Sequence, residues 1–278
     1  SWRIWRREAV GHKEDQDIRE QEVMKRVHDF LKCQDLNYFY GFSAEDVERL
    51  AGAFSSLVQN DGTTFPDFYS SNSCVELFSI SSSISNERKG SMQMKQDGEL
   101  REEIARDDEK AASLCDFRRR TYWRAHPEHS YEALTNNLRD QVAKHVGSKR
   151  VCGKRFDTSV FVIDLNELDL SCMFHPHGFV DLDGLRIGDL EPVYVDGKSH
   201  GLYRLSRDRE NLEWLAQHVN DVDYIVFCSL NVVEAINLHH VQEIVAFLPW
   251  KLVTAANNAV TFVSSTPLVY EGLASTHE

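Results

Sequence analysis

Ser159-Val160-Phe161-Val162-Ile163-Asp164-Leu165 is a short apolar run of β-branched and aromatic residues, the pattern of a central strand covered on both faces. Just upstream, Tyr131, Leu134, Leu138, Val142 and Val146 recur at helical spacing, with Pro127 before them and Gly147 where a helix stop is expected. Downstream, Asp208–Val219 carries Leu212, Leu215, Ala216 and Val219 on one helical face, and Val222–Cys228 is a second apolar strand. A helix followed by a strand on both sides of a buried strand predicts an α/β protein with a mixed central sheet flanked by helices. Val232–Leu248 fits helix and strand equally well, and no internal repeat or low-complexity tract is present.

Toward the N-terminus, residues 1–16 read as a charged arm carrying Trp2 and Trp5. Ile18, Val23, Met24, Val27, Phe30 and Leu31 predict a helix over Asp17–Lys32. A second helix is expected over Ser43–Val58, with Ser43 as its cap. After the turn signal Asn60-Asp61-Gly62, the runs 63–69 and 74–80 are joined by the polar turn Ser70–Ser73 and read as a hairpin. Residues 91–125 are charged and mostly helix-prone, with Gly98 a weak point. These boundaries suggest an N-terminal arm and helix over 1–42 and a single α/β domain over 43–278, its core at about 43–165 and its C-terminal extension at about 166–278.

The 278-residue chain is long enough to bury a core without staples, and its net charge of -13 argues against a generic nucleic-acid binder, which needs a basic face. Basic residues would have to act as local patches: Arg118, Arg119, Arg120 and Arg124, or Arg88, Lys89 and Lys95. The plainer reading has them on solvated helix faces, balancing acids such as Glu99, Glu102 and Glu103. Six cysteines without a C-x-x-C pair, several within apolar runs, point to buried thiols in a reducing cytoplasm. No apolar stretch approaches the length of a membrane helix, and the charged N-terminus has no signal-peptide core. Because the chain opens on Ser1 rather than methionine, residues upstream of it are expected.

Chemistry is best concentrated in Pro66-Asp67 and, after eight intervening residues, Glu76. On a hairpin, this separation sets two carboxylates opposite each other on adjacent strands. Paired ionised carboxylates repel unless something positive holds them together. Mg²⁺, with Mn²⁺ as a substitute, does so through one or two carboxylates, waters and substrate phosphate. It then polarises the phosphoryl group and acidifies a bound water. The structural alternative places both acids on the solvent face of a half-exposed hairpin; Glu76 shares its face with Phe78 and Ile80, which is partly apolar.

The stretch from the Ser43–Val58 helix to the Ser159–Leu165 strand resembles the PD-(D/E)XK restriction-endonuclease-like superfamily, whose core runs helix, strand hairpin, helix, strand. Pro66-Asp67 matches its Pro-Asp motif and Glu76 its second acid. The resemblance implies a Mg²⁺-dependent nuclease for DNA, or RNA, with Asp67 and Glu76 as ligands and an acid from the preceding helix, Glu48 or Glu45, joining them. The motif lysine belongs two residues after the second acid, where this chain has Phe78. Lys89 is the best replacement as catalytic lysine and Lys95 the next, because lysine migration occurs in that superfamily; Arg88 supplies charge but no base. Arg88, Lys95, Arg118, Arg119 and Arg120 would then be the nucleic-acid contacts.

Two other classes compete. A catalytically inactive scaffold that binds a protein partner is favoured by the acidic balance and by Phe78, and a small-molecule enzyme would use the Gly/Asp-rich segment 174–201. Cys172, His175 and His177, with Cys152, have the chemistry for zinc but not its paired-knuckle spacing. His126 and His129 flank Pro127-Glu128, and His129 or Ser130 is better read as a helix cap; His239-His240 reads as a solvated turn. No G-x-S-x-G elbow, Walker loop or G-x-G-x-x-G occurs.

Overall fold

A computed structural model describes residues 12–33, 35–60, 64–86, 90–114, 118–165, 167, 169–174, 191–195, 198–230, 232–248, 252–257 and 260–265. In chain order, the first elements are α1 (His12–Cys33), β1 (Phe39–Tyr40), α2 (Ala44–Phe54), β2 (Val58–Gln59), β3 (Phe68–Tyr69) and β4 (Ser73–Ser79). Then come β5 (Ser85–Asn86), β6 (Gly90–Ser91), α3 (Met92–Ser113), β7 (Arg120–Ala125), α4 (Tyr131–Cys152), β8 (Thr158–Leu165) and β9 (Leu170–Phe174). The last are β10 (Glu191–Val195), β11 (Lys198–His200), α5 (Arg209–Leu215), β12 (Tyr224–Ser229), β13 (Val232–Asn237), α6 (Val241–Val245), β14 (Val253–Ala256) and β15 (Val260–Ser265).

Two compact units result, and they do not follow the division expected from sequence. The larger contains Val10–Ser82 and His129–Asn257; the smaller contains Ser83–Glu128 and the β15 segment. No boundary falls near residue 42, because α1 is part of the larger unit's core through Val23, Met24, Val27 and Leu31.

The larger unit is built on a mixed sheet with strand order β1-β13-β12-β8-β4-β3-β2. β4, β8 and β12 are parallel, while β3 pairs antiparallel with β4 and β13 with β12. Every residue of β8 is buried, and its side chains alternate between two cores. Val160 and Val162 join Val75, Leu77 and Val226 beneath α1 and α2. Phe161, Ile163 and Leu165 join Phe78, Ile80, Phe227 and the stripe Leu134, Leu138, Val142 and Val146 of α4. Period two in the strand and the heptad-like spacing in the helices thus dictate a helix–sheet–helix sandwich. β9, β10, β11 and β14 form a separate antiparallel sheet. Among the described residues no helix is long and apolar enough to cross a membrane.

Local chemistry explains most boundaries. Ser43 caps α2 in a reciprocal capping box with Asp46. Ser130, not His129, caps α4, its hydroxyl accepting from Ala133 N–H at 3.0 Å. The expected stop at Gly147 is wrong: α4 runs on to Cys152 and ends at Gly153, whose φ of +67° is the left-handed conformation that favours glycine. Val232–Leu248 is strand first and helix second, β13 then α6. The end of the charged segment 91–125 is not helix but β7, in which half-buried and exposed residues alternate.

Candidate active site

The hairpin positions the two acids. Phe68 pairs with Val75 and Tyr69 with Cys74, so one further step in register sets Asp67 opposite Glu76. The loop before Asp67 is held by Asn60, whose side-chain amide donates to the carbonyls of Thr64 and Pro66 at 2.9 and 3.0 Å. The backbone N–H of Asn60 donates to the Asp67 carbonyl at 2.7 Å. Asp67 N–H donates to Glu76 Oε2 at 3.1 Å, and Leu77 N–H donates to Asp67 Oδ2 at 2.8 Å. Each carboxylate is therefore anchored by an amide of the other's strand.

Burial and charge then act together on Asp67. Its carboxyl is pushed up to about 6, first by burial and second by the negative charge of Glu76, with Glu20 on α1 adding to the effect. The Leu77 amide and His145 oppose the rise. Glu76 is only 5 % exposed, and its Oε1 lies 2.5 Å from Nδ1 of His145 on α4. The imidazole stacks flat on Phe78, with ring centroids 4.5 Å apart and planes 6° from parallel, and meets Phe161 edge-on. Phe78, at the position of the motif lysine, thus forms the floor that holds His145 against Glu76.

Several expected site residues stand elsewhere. Glu48 is on the exposed side of α2, and Glu45 is engaged by Arg49 at 3.0 Å. The helix acid whose field reaches Asp67 is Glu20, because α1 packs on the same sheet. Lys89 and Arg88 lie outside the described residues. Lys95 is 3.7 Å from Glu99 within α3, and Arg120 donates to the Asp107 carbonyl at 3.4 Å. Arg118 and Arg119 are exposed, Arg119 donating to Ser264 Oγ at 3.1 Å. Lys149, one turn beyond His145, is committed to Ser159 Oγ and the Asp221 carbonyl. For zinc, Cys172 is buried in β9 and Cys152 closes α4, while His175 and His177 fall outside the described residues. Most of the segment 174–201 does too.

Two carboxylates with lone pairs beyond their amide bonds suit a hard divalent cation. Among the described residues, however, no third carboxylate, imidazole or thiol joins Asp67 and Glu76 in a group whose ligand atoms all lie within 4.8 Å of one another. Water and substrate oxygens would complete the coordination, as Mg²⁺ prefers. A shallow depression lined by Arg49, Ser70, Asn72 and Asp157 lies at the hairpin-turn end of β4, away from this pair.

Three further buried polar groups had no signature in sequence. Ser82 donates from both its amide and its hydroxyl to Glu167 Oε2, at 2.9 and 2.6 Å, while its Oγ lies 2.8 Å from His129 Nδ1. With its single hydroxyl proton directed at Glu167, Ser82 receives a hydrogen bond from His129 rather than yielding a proton to it, and it is fully buried. This is a structural knot, not an activated nucleophile. Burial, the largest influence on Glu167, raises its pKa, yet the hydrogen bonds from His129, Ser81 and Ser82 outweigh it and the net shift is downward. Arg204 and Glu234 form a buried ion pair, Nε and Nη2 both reaching Oε2 at 2.8 and 2.5 Å. Asp164, at the end of β8, lies 3.8 Å from Arg26 and is raised to about 6 by burial. Compared with known proteins, the chain matches no family model, no curated protein and no solved structure.

Proposed function

We propose that Asp67 and Glu76 are the metal-binding acids of a Mg²⁺-dependent phosphodiester hydrolase acting on nucleic acid, built on a restriction-endonuclease-like core. The observation that carries this reading is the pairing of the two acids across the β3–β4 hairpin through crossed amide bonds, with Asp67 raised first by burial and then by its neighbour's charge. A cation there relieves a repulsion that folding imposes. Bound Mg²⁺ would supply Lewis acidity to a phosphoryl oxygen and lower the pKa of a coordinated water. The chain's own residues orient this chemistry. The amides of Asp67 and Leu77 fix one oxygen of each acid, and His145 fixes the second oxygen of Glu76. Phe78 fixes His145 in turn, so in this reading the imidazole stands beside the second acid where the motif lysine is expected.

The rival is an inactive scaffold that engages a protein partner, and a specific observation favours it. Phe78 fills the lysine position with a buried ring, and within their own unit Arg120 is turned to the Asp107 backbone carbonyl and Arg124 to the Asp97 carboxylate. The deciding experiment incubates the full chain with single- and double-stranded DNA and RNA in Mg²⁺ or Mn²⁺, beside Asp67→Asn and Glu76→Gln. Metal-dependent cleavage lost in both variants supports the hydrolase. Cleavage that survives them overturns the assignment, and calorimetry showing no divalent binding favours the scaffold.

A further inference from the structure

In the smaller unit, β7 and β15 form an antiparallel ribbon in which Trp123 is the register partner of Phe262. One face of this ribbon is engaged by α3. Tyr122 donates to Asp107 Oδ2 at 3.0 Å, and Arg124 bonds Gln96 at 2.8 Å and pairs with Asp97. Alternation sends the intervening residues outward. There Trp123 and Phe262 are 69 % and 71 % exposed, with Ala125 and Val260 beyond them and Thr121 and Ser264 on the other side. Arg119 lies across that end, donating to Ser264 Oγ. Neither 118–125 nor 260–265 contains an acid, although the whole chain carries a net charge of -13.

We infer that this face binds single-stranded nucleic acid, unpaired bases stacking on Trp123 and Phe262 with a phosphate beside Arg119. Large aromatic rings left in water cost free energy, and a cross-strand pair sets its Cβ atoms about 4.5–5.5 Å apart, near enough to present two neighbouring π faces. Aromatic platforms edged by cations are how strands are held without sequence preference, because every base has a π face. A duplex hides those faces in its own stack. Charge argues against a second copy as the occupant, since two such ribbons would bring together segments whose charged residues are all arginine. The inference rests on the proposed hydrolase for its nucleic-acid class, while binding itself requires no cleavage.

The test uses the full chain in EDTA, fluorescein-labelled oligo-dT and oligo-U, and a DNA duplex of equal length, read by anisotropy and by quenching of tryptophan emission. Both single strands are expected to bind more tightly than the duplex. Trp123→Ala and Phe262→Ala should each weaken binding about fivefold or more, with Trp123→Phe retaining most of it. Arg119→Gln should weaken it and reduce its salt dependence. These side chains are exposed, and unchanged thermal melts will establish that the variants fold. Equal affinities for wild type and both alanine variants overturn the inference. So does the absence of binding, or a change of oligomeric state with no effect on oligonucleotide affinity. Binding without Mg²⁺-dependent cleavage removes the hydrolase reading and leaves the platform; cleavage unaffected by Trp123→Ala does the reverse.

Discussion

Asp67 and Glu76 hold each other through crossed backbone contacts: the amide of Asp67 donates to the Glu76 carboxylate, and the amide following Glu76 donates to the Asp67 carboxylate. The arrangement fixes two like charges side by side, so the proton on Asp67 and any bound cation compete for the same place.

The first prediction follows from that competition. Folding raises the Asp67 carboxyl from 3.8 to about 6, so between about pH 4 and 6 the folded chain holds a proton the unfolded chain has lost. Stability is therefore greatest below pH 4 for this group and falls as pH rises through 6. Asp164, also raised to about 6, adds a slope of the same sign. Asp67→Asn should remove its own part and stabilise the protein at pH 7 by about 1–2 kcal/mol, less than the full shift implies because the group is partly solvated. Urea midpoints across pH 4–8 measure it. Millimolar Mg²⁺ should raise the wild-type midpoint at pH 7.5, do so much less at pH 5, and leave Asp67→Asn unmoved; an equal Mg²⁺ shift in the variant would sink the site.

Phe78 provides the second. Phe78 is 7 % exposed and stacked on His145, so it is a packing residue of the core. Phe78→Ala should cost about 3–5 kcal/mol, and Phe78→Leu about 1 kcal/mol. Denaturant unfolding that shows neither loss contradicts the packing.

Breaking the Arg204–Glu234 pair should be far worse than replacing it. Glu234→Ala leaves a guanidinium that is 1 % exposed without its counter-ion, at a cost of about 3–5 kcal/mol. The double variant Arg204→Met, Glu234→Leu should recover most of that loss in the same unfolding experiment. If the double variant is as unstable as the single one, the pair contributes more than compensation for its own desolvation.

Two glycines of one helix should respond with opposite signs. Gly147 lies mid-helix with open space where a Cβ would stand, so Gly147→Ala should stabilise by about 1 kcal/mol. Gly153 has a left-handed backbone, and Gly153→Ala should destabilise by about 1 kcal/mol or more. Thermal melts of both variants decide this, and changes of the same sign would contradict the cap.

These contrasts show what kind of information is local. Ser43 as a cap, the buried strand at 158–165 and the facing of Asp67 and Glu76 across a short polar turn all follow from spacing within a few residues. Gly147 and Gly153 are alike as letters, and only the backbone distinguishes them: α4 keeps its helical turn through Gly147 to Cys152 and turns left-handed at Gly153. The strand β7 was hidden because its partner, β15, lies far along the chain and its exposed face carries Trp123 where an alternating pattern would have a polar residue.

Periodicity along the chain determined by itself that an apolar strand lies between helical layers and that two acids share one side of a hairpin, since both depend on backbone repeats of 2.0 and 3.6 residues. Which groups surround those acids was decided only in three dimensions. His145 and Glu20 come from helices whose docking is set by apolar stripes on their other positions, and no local pattern records which polar side chain that docking delivers. Burial is written in the order of residues; partnership depends on the packing of distant segments.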